Sequence, residues 1–210
     1  MPSFRAISLF FVATLASVSL TSAVEARCGT CDEYNGTGTG TSAAVPVPVL
    51  IANVQAQIAP MLEEIHAMTS IKADAITPVV VDIKATIDDA TAKVQAFVDA
   101  KVDLNVALAA NVNGGAAVTV DVLVGLLVNL IASVVICIQA ALKVCARVEV
   151  TACIQVFASL CVSLAALIQV CCHLVVGLAV ALSLQVTAFI ALCAKLGVGA
   201  SVSFLSKLSL

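Results

Sequence analysis

Aromatic residues are nearly missing from this sequence: it has no Trp and a single Tyr, Tyr34, and aromatics make up 4% of its 210 residues. Any core must therefore be built mainly from Ala, Val, Leu and Ile. Charge is equally scarce. Asp, Glu, Lys and Arg together reach 11%, where ordinary soluble domains carry about 25%. The formal net charge of −3 is small and of the wrong sign for a polyanion, which excludes nucleic acid as a partner on charge grounds. Histidine occurs twice, at His66 and His173, and no HExxH, GxSxG, GxGxxG or Walker-type loop is present. The enzyme classes that those motifs mark have no foothold. The expectation is a non-enzymatic protein without metal or cofactor.

What the sequence does have is apolar length, at 61% of residues against roughly 45–50% in soluble domains. The charges are also sorted. Val24 to Asp121 carries 12 acidic and 5 basic residues, whereas Val122 to Leu210 carries 4 basic residues and one acid, Glu149. Two chemically different halves follow one another along the chain.

Residues 1–26 read as a signal peptide. Arg5 supplies the positive start, Ile7 to Leu20 the apolar core, and Thr21-Ser22-Ala23 or Val24-Glu25-Ala26 the small-residue cleavage site. An uncleaved anchor is the alternative, although the apolar core is shorter than the roughly 20 residues a spanning helix needs. Residues 27–48 form a Cys/Gly/Thr-rich linker. Within it Asn35-Gly36-Thr37 is a glycosylation sequon, with Asn35 the acceptor. Cys28-Gly29-Thr30-Cys31 has the spacing of a redox CxxC, but no strand precedes it and a poor helix follows. Cys28 and Cys31 are accordingly candidates for a simple disulfide.

Residues 49–110 carry the acidic amphipathic helices. Ile51, Val54, Ile58, Met61, Ile65 and Met68 recur at alternating spacings of three and four, which places them on one helical stripe. Pro60 predicts a kink or restart in that helix. Thr77-Pro78 resembles an N-cap followed by proline at the first helical position. From there Val80, Ile83, Ile87, Ala90, Val94 and Phe97 repeat the stripe, with Asp82, Lys84, Asp88, Asp89, Lys93 and Asp99 off it. The two helices are expected to pair as a hairpin or against a partner on their apolar faces. Residues 101–121, which include the Gly-containing connection at 111–121, allow two readings. Val102, Leu104, Val106 and Leu108 alternate, as do Val118, Val120 and Val122, which fits a β-hairpin about Asn113-Gly114-Gly115, but a helix–loop–helix is preferred.

Residues 122–210 are different in kind. Three uncharged stretches, 122–142, 150–172 and 174–194, are each long enough to cross a roughly 30 Å hydrocarbon layer. The last two belong to one uncharged run from Val150 to Ala194, in which Gly177 is the one glycine available to mark a break. With the acidic half outside, Lys143, Arg147, Lys195 and Lys207 all fall on the cytoplasmic side, as the positive-inside rule asks. Small and polar residues line one face of each helix: Gly125, Asn129 and Gln139 on the first, Gln155, Ser159, Gln169 and His173 on the second. In lipid such residues glue helices together, so the two stripes are expected to face each other as a packing seam. The same stripes permit the opposite arrangement, with the polar face in water and the aliphatic face on a lipid or other apolar surface.

Nine cysteines leave at least one unpaired. Cys137, Cys145, Cys153 and Cys161 are spaced by eight, so on one ideal helix they would spiral rather than share a face. Pairs between neighbouring helices stay open, and several of the cysteines are expected to be small apolar core residues. Cys171-Cys172-His173 would diverge by about 100° per residue and is rejected as a metal site.

The signal peptide, the Cys28 to Ser42 segment, the Ala/Val/Asp amphipathic helices and the Val/Leu/Cys-rich tail together resemble small secreted hydrophobic proteins of basidiomycete fungi, a group of transmembrane type without an assigned activity. Hydrophobins differ: they have eight cysteines with two Cys-Cys doublets, whereas this chain has nine and the doublet Cys171-Cys172 alone. The expected architecture is all-α, an amphipathic helical hairpin followed by a bundle of apolar, membrane-embedded helices. Its expected partner is a lipid bilayer or apolar surface, with self-association as a further expectation. Three roles remain open: a membrane-anchored protein of the secretory pathway, a secreted or cell-wall amphiphile that assembles through its apolar half, and a membrane-permeabilising protein.

Overall fold

The computed structural model describes residues 45–110, 117–183 and 186–197. The expected signal peptide, Cys28, Cys31, Asn35 and the Asn113-Gly114-Gly115 turn lie outside the described residues. All regular structure within them is α-helical, in the order α1 (Val47–Ala67), α2 (Ala73–Asp99), α3 (Leu104–Ala107), α4 (Val120–Val144), α5 (Val150–Leu174), α6 (Leu178–Ser183) and α7 (Thr187–Lys195).

The acidic helices form where their periodicity places them. Val47 and Pro48 open α1, since proline is tolerated in a first turn whose amides have no helical partner. Pro60 lies inside α1, which runs through it without a restart. The expected start of α2 at Thr77 is corrected. The helix begins four residues earlier at Ala73, so Pro78 is an interior residue. The Thr77 hydroxyl does not cap; it donates to the Ala73 carbonyl at 2.7 Å. The C-terminus of α2 is a Schellman turn: Val102 N–H donates to Phe97 O at 3.1 Å and Lys101 N–H to Val98 O at 3.1 Å. Lys101 takes the left-handed position of that turn with φ 50°, where glycine is usual.

Between α2 and α4 both readings of the connection are partly realised. One helical turn, α3, is followed by an isolated antiparallel bridge between Ala109 and Ala117, and Val118 N–H donates to Leu108 O at 2.8 Å. Among the described residues the alternation of Val and Leu there yields one bridge and no ladder.

Helices α4 and α5 coincide with the first two candidate spans and are long and apolar enough to cross a membrane. The third candidate stretch holds two short helices, α6 and α7. Gly177, at φ 89°, turns the chain between α5 and α6, a backbone conformation that costs glycine little.

Four long helices make the frame. The most extensive contact is α2 with α5, followed by α1 with α4 and then α1 with α2; α4 with α5 is the weakest side. The helices thus close a ring α1–α2–α5–α4, and α6 and α7 pack chiefly on α4. The two bends are joined: Ile71 pairs with Cys145 in a parallel bridge, with Ile71 N–H to Val144 O at 3.3 Å and Ala146 N–H to Ile71 O at 3.4 Å. Both bends therefore sit at one end, so α1 runs parallel to α4 and α2 parallel to α5. One hairpin lies over the other.

The core is mainly aliphatic, as the scarcity of aromatics requires, with Phe97, Phe157 and Phe189 buried in it. Ile51, Val54, Ile58 and Ile65 of α1 are buried, as are Val80, Ile83, Ile87, Ala90, Val94 and Phe97 of α2. They meet Leu123, Leu127, Leu130 and Val134 of α4 and Phe157, Leu160, Leu164 and Ile168 of α5 in one continuous cluster. Burial of such side chains contributes roughly 1.5–3 kcal/mol each.

Candidate functional site

Each apolar helix keeps a polar line, and the structure turns that line outward. Gly125, Asn129 and Gln139 of α4 are exposed, and so are Gln155, Ser159, Gln169 and His173 of α5. The expected seam between α4 and α5 is therefore corrected: the chain does not bring these seven residues together. The reason is the acidic hairpin. Its two apolar faces offer α4 and α5 larger aliphatic surfaces than the helices offer one another, and burying aliphatic surface outweighs pairing amides that water already satisfies. Gly125 shows the same thing. An added Cβ would meet nothing within 4 Å, so no helix approaches closely there.

The polar line of α4 instead borders a groove against α1. This cavity of about 210 Å³ is lined by Gln55, Ile58, Ala59, Leu62, Asn129, Leu130 and Ser133. Gln55 of α1 crosses it, its Nε2 donating to the Leu126 carbonyl at 2.6 Å. Ser133 Oγ donates back to the Asn129 carbonyl at 2.9 Å. Deeper along the same contact the Cys137 thiol donates to the Leu62 carbonyl at 3.7 Å. That is a weak sulfur hydrogen bond from a buried residue that otherwise packs as a small hydrophobe.

At the joined bends the sole acid of the apolar half finds its use. Glu149 Oε2 accepts from the Ala73 amide at 3.3 Å. Ala73 is the first residue of α2, where amides lack helical partners and the helix dipole favours an anion. The feature was visible in sequence only as a lone acid among 89 residues of low charge, and its partner 76 positions away was not.

Five of the seven described cysteines are buried. Cys145 and Cys153 do not spiral apart as their spacing on one helix implied, because the bend at 146–149 lies between them. Cys145 caps α4, Cys153 sits in the first turn of α5, and their sulfurs are 2.9 Å apart. Cys161 of α5 hydrogen-bonds Cys193 of α7, which holds the Cys193 thiol below its ordinary range. Cys171 is buried, Cys172 half-buried and His173 exposed, so this run points in three directions. Among the described residues no three His, Cys, Asp or Glu side chains converge as a metal site would require.

The outer surface of the acidic hairpin is ionic. Lys84 pairs with Asp88 and Lys93 with Asp89 at 2.6 Å, each one turn apart on α2. Exposed aliphatic residues are spread over the bundle: Leu104, Val106, Val122 and Val176 lie toward the end opposite the joined bends, Val144 and Val148 lie at the bends, and Val81 lies on α2 itself. Comparison with protein-family models, curated proteins and solved structures gives no match.

Proposed function

We propose that this protein is a non-enzymatic amphiphile of the secretory pathway that attaches to lipid through the α4–α5 hairpin, with the α1–α2 hairpin as its water-facing cover. One observation carries the reading. Two helices of 25 residues, each apolar enough to cross a membrane, are covered by a separate acidic hairpin more than by each other. Such a hairpin can exchange one aliphatic cover for another without breaking its own bend. The outward polar lines support attachment in which Asn129, Gln139, Gln155 and Gln169 keep contact with water or headgroups, as amphipathic helices at interfaces do. Secretion, the glycosylated Asn35 and the sidedness set by Lys143 and Arg147 belong to the same proposal and rest on the sequence.

The test uses the mature chain with phosphatidylcholine vesicles in a flotation gradient. The expected result is protein floating with the vesicles, without release of an entrapped dye. Resistance of the bound fraction to alkaline carbonate would place the hairpin within the bilayer, and its release would place it on the surface. Protein that stays in the dense fraction as a monomer would overturn the proposal. Dye release would replace it with a permeabilising role.

A further inference from the structure

The bend between α4 and α5 holds a pair of thiols whose placement goes beyond packing. Cys145 is half-buried at the surface of the bend, and Cys153 is buried behind it. Their sulfurs stand 2.9 Å apart, less than 1 Å beyond the S–S bond length of about 2.05 Å. The rest of the bend is fixed. Ile71 is bonded on either side of Cys145, to Val144 and to Ala146. Glu149, four residues before Cys153, is held by the Ala73 amide. Two elements thus present the thiols to each other, and no large rearrangement separates thiol from disulfide.

We infer that Cys145 and Cys153 form a redox clasp, a disulfide that closes the α4–α5 bend in exchange with a small-molecule disulfide such as oxidised glutathione. The division of labour follows from exposure. Cys145 is the thiol an oxidant can reach, and Lys143 and Arg147 on either side of it are exposed cations that favour an anionic disulfide. In the first step the Cys145 thiolate attacks glutathione disulfide, forming a mixed disulfide and expelling one glutathione thiolate. In the second, Cys153 gives up its proton and attacks the Cys145 sulfur, expelling the other. The two protons end on the two glutathione thiolates. Two cysteine thiols are oxidised, one glutathione disulfide is reduced, and nothing else is consumed. The Cys161–Cys193 contact provides the contrast, because both residues are fully buried and no oxidant reaches them in the folded chain.

The inference is independent of lipid attachment, and its test reads the bond itself. The folded, reduced full chain is incubated with oxidised glutathione, alkylated, and digested with trypsin without reduction. Cleavage after Lys143, Arg147 and Lys195 should yield Val144–Arg147 joined to Val148–Lys195, lighter than the two peptides by two hydrogens. In the Cys153→Ala variant the same treatment should leave glutathione on Cys145, and in Cys145→Ala neither the joined peptides nor an adduct at Cys153 should form. A helical circular-dichroism spectrum checks that each variant is folded, and the wild-type digest stands without them. Free Cys145 and Cys153 in folded wild type, or persistence of the joined peptides in Cys153→Ala, would overturn the inference.

Discussion

The two hairpins bury themselves with the same helical period and differ in what they show the solvent. On α2 the outward face carries Asp82, Lys84, Asp88, Asp89, Lys93 and Asp99, with two ion pairs one turn apart. On α4 and α5 the outward face carries Gly, Asn, Ser, Gln, Thr and His together with exposed Val122, Ile136 and Val162, with charge confined to the helix ends. An ionic face is committed to water, because moving charges out of it is expensive. A face of amides and hydroxyls is not committed, since its groups can turn to water, headgroups or one another. The same bundle therefore contains one hairpin that must stay wet and another that can leave water.

That comparison can be broken or sharpened by substitution. If both hairpins share one core, shortening a core residue on either side should weaken the same unfolding transition. Ile83→Ala in α2 and Leu164→Ala in α5 are each expected to cost about 2–5 kcal/mol, read as parallel shifts of a single urea transition. Two separated transitions, with only α1–α2 affected by Ile83→Ala, would show that the hairpins fold independently.

Smaller effects sharpen the acidic side. Lys101 holds a left-handed conformation at φ 50°, so Lys101→Gly should raise the thermal midpoint, by a gain of about 1 kcal/mol. Removing the link between the bends with Glu149→Gln should cost roughly 0.5–1 kcal/mol, and added salt should narrow the difference from wild type. Lys93→Ala removes an exposed pair one helical turn apart and should cost only about 0.3–0.5 kcal/mol, vanishing in high salt.

The smallest stability effect carries the most information about the apolar side. Asn129 and Gln169 are exposed, so the double substitution Asn129→Leu with Gln169→Leu should change urea stability by no more than about 0.5 kcal/mol. It should nevertheless raise the fraction that floats with vesicles. A large loss of stability would restore the packing seam that the structure replaces.

The helices themselves were legible. The stripe Val80, Ile83, Ile87, Ala90, Val94 and Phe97 is the buried face of α2 from Val80 onward, preceded in the first turn by Ala73 and Ile76, and the uncharged runs at 122–142 and 150–172 fall within α4 and α5. Period reports which face of a helix is apolar, and nothing more. It could not report what covers that face, because Ile83 and Phe157 are equally content against any aliphatic surface. The polar lines of α4 and α5 were misassigned for that reason: their spacing fits a seam in lipid and a wet face in water alike. The Cys145–Cys153 pair was hidden by measuring its spacing along one helix, although the charged break at Arg147 to Glu149 was the signal that the helix ends there. Glu149 and Ala73 meet only through the pairing of two bends, and no local pattern encodes that.

Hydrogen exchange of the protein, with and without phosphatidylcholine vesicles, tests the exchange of covers most directly. In water the amides of α1, α2, α4 and α5 should all be protected, because each helix has a buried face. With vesicles, α4 and α5 should keep their protection while α1 and α2 lose it. Protection of α2 unchanged by vesicles to which the protein is bound would contradict the claim that lipid takes the place of the acidic hairpin.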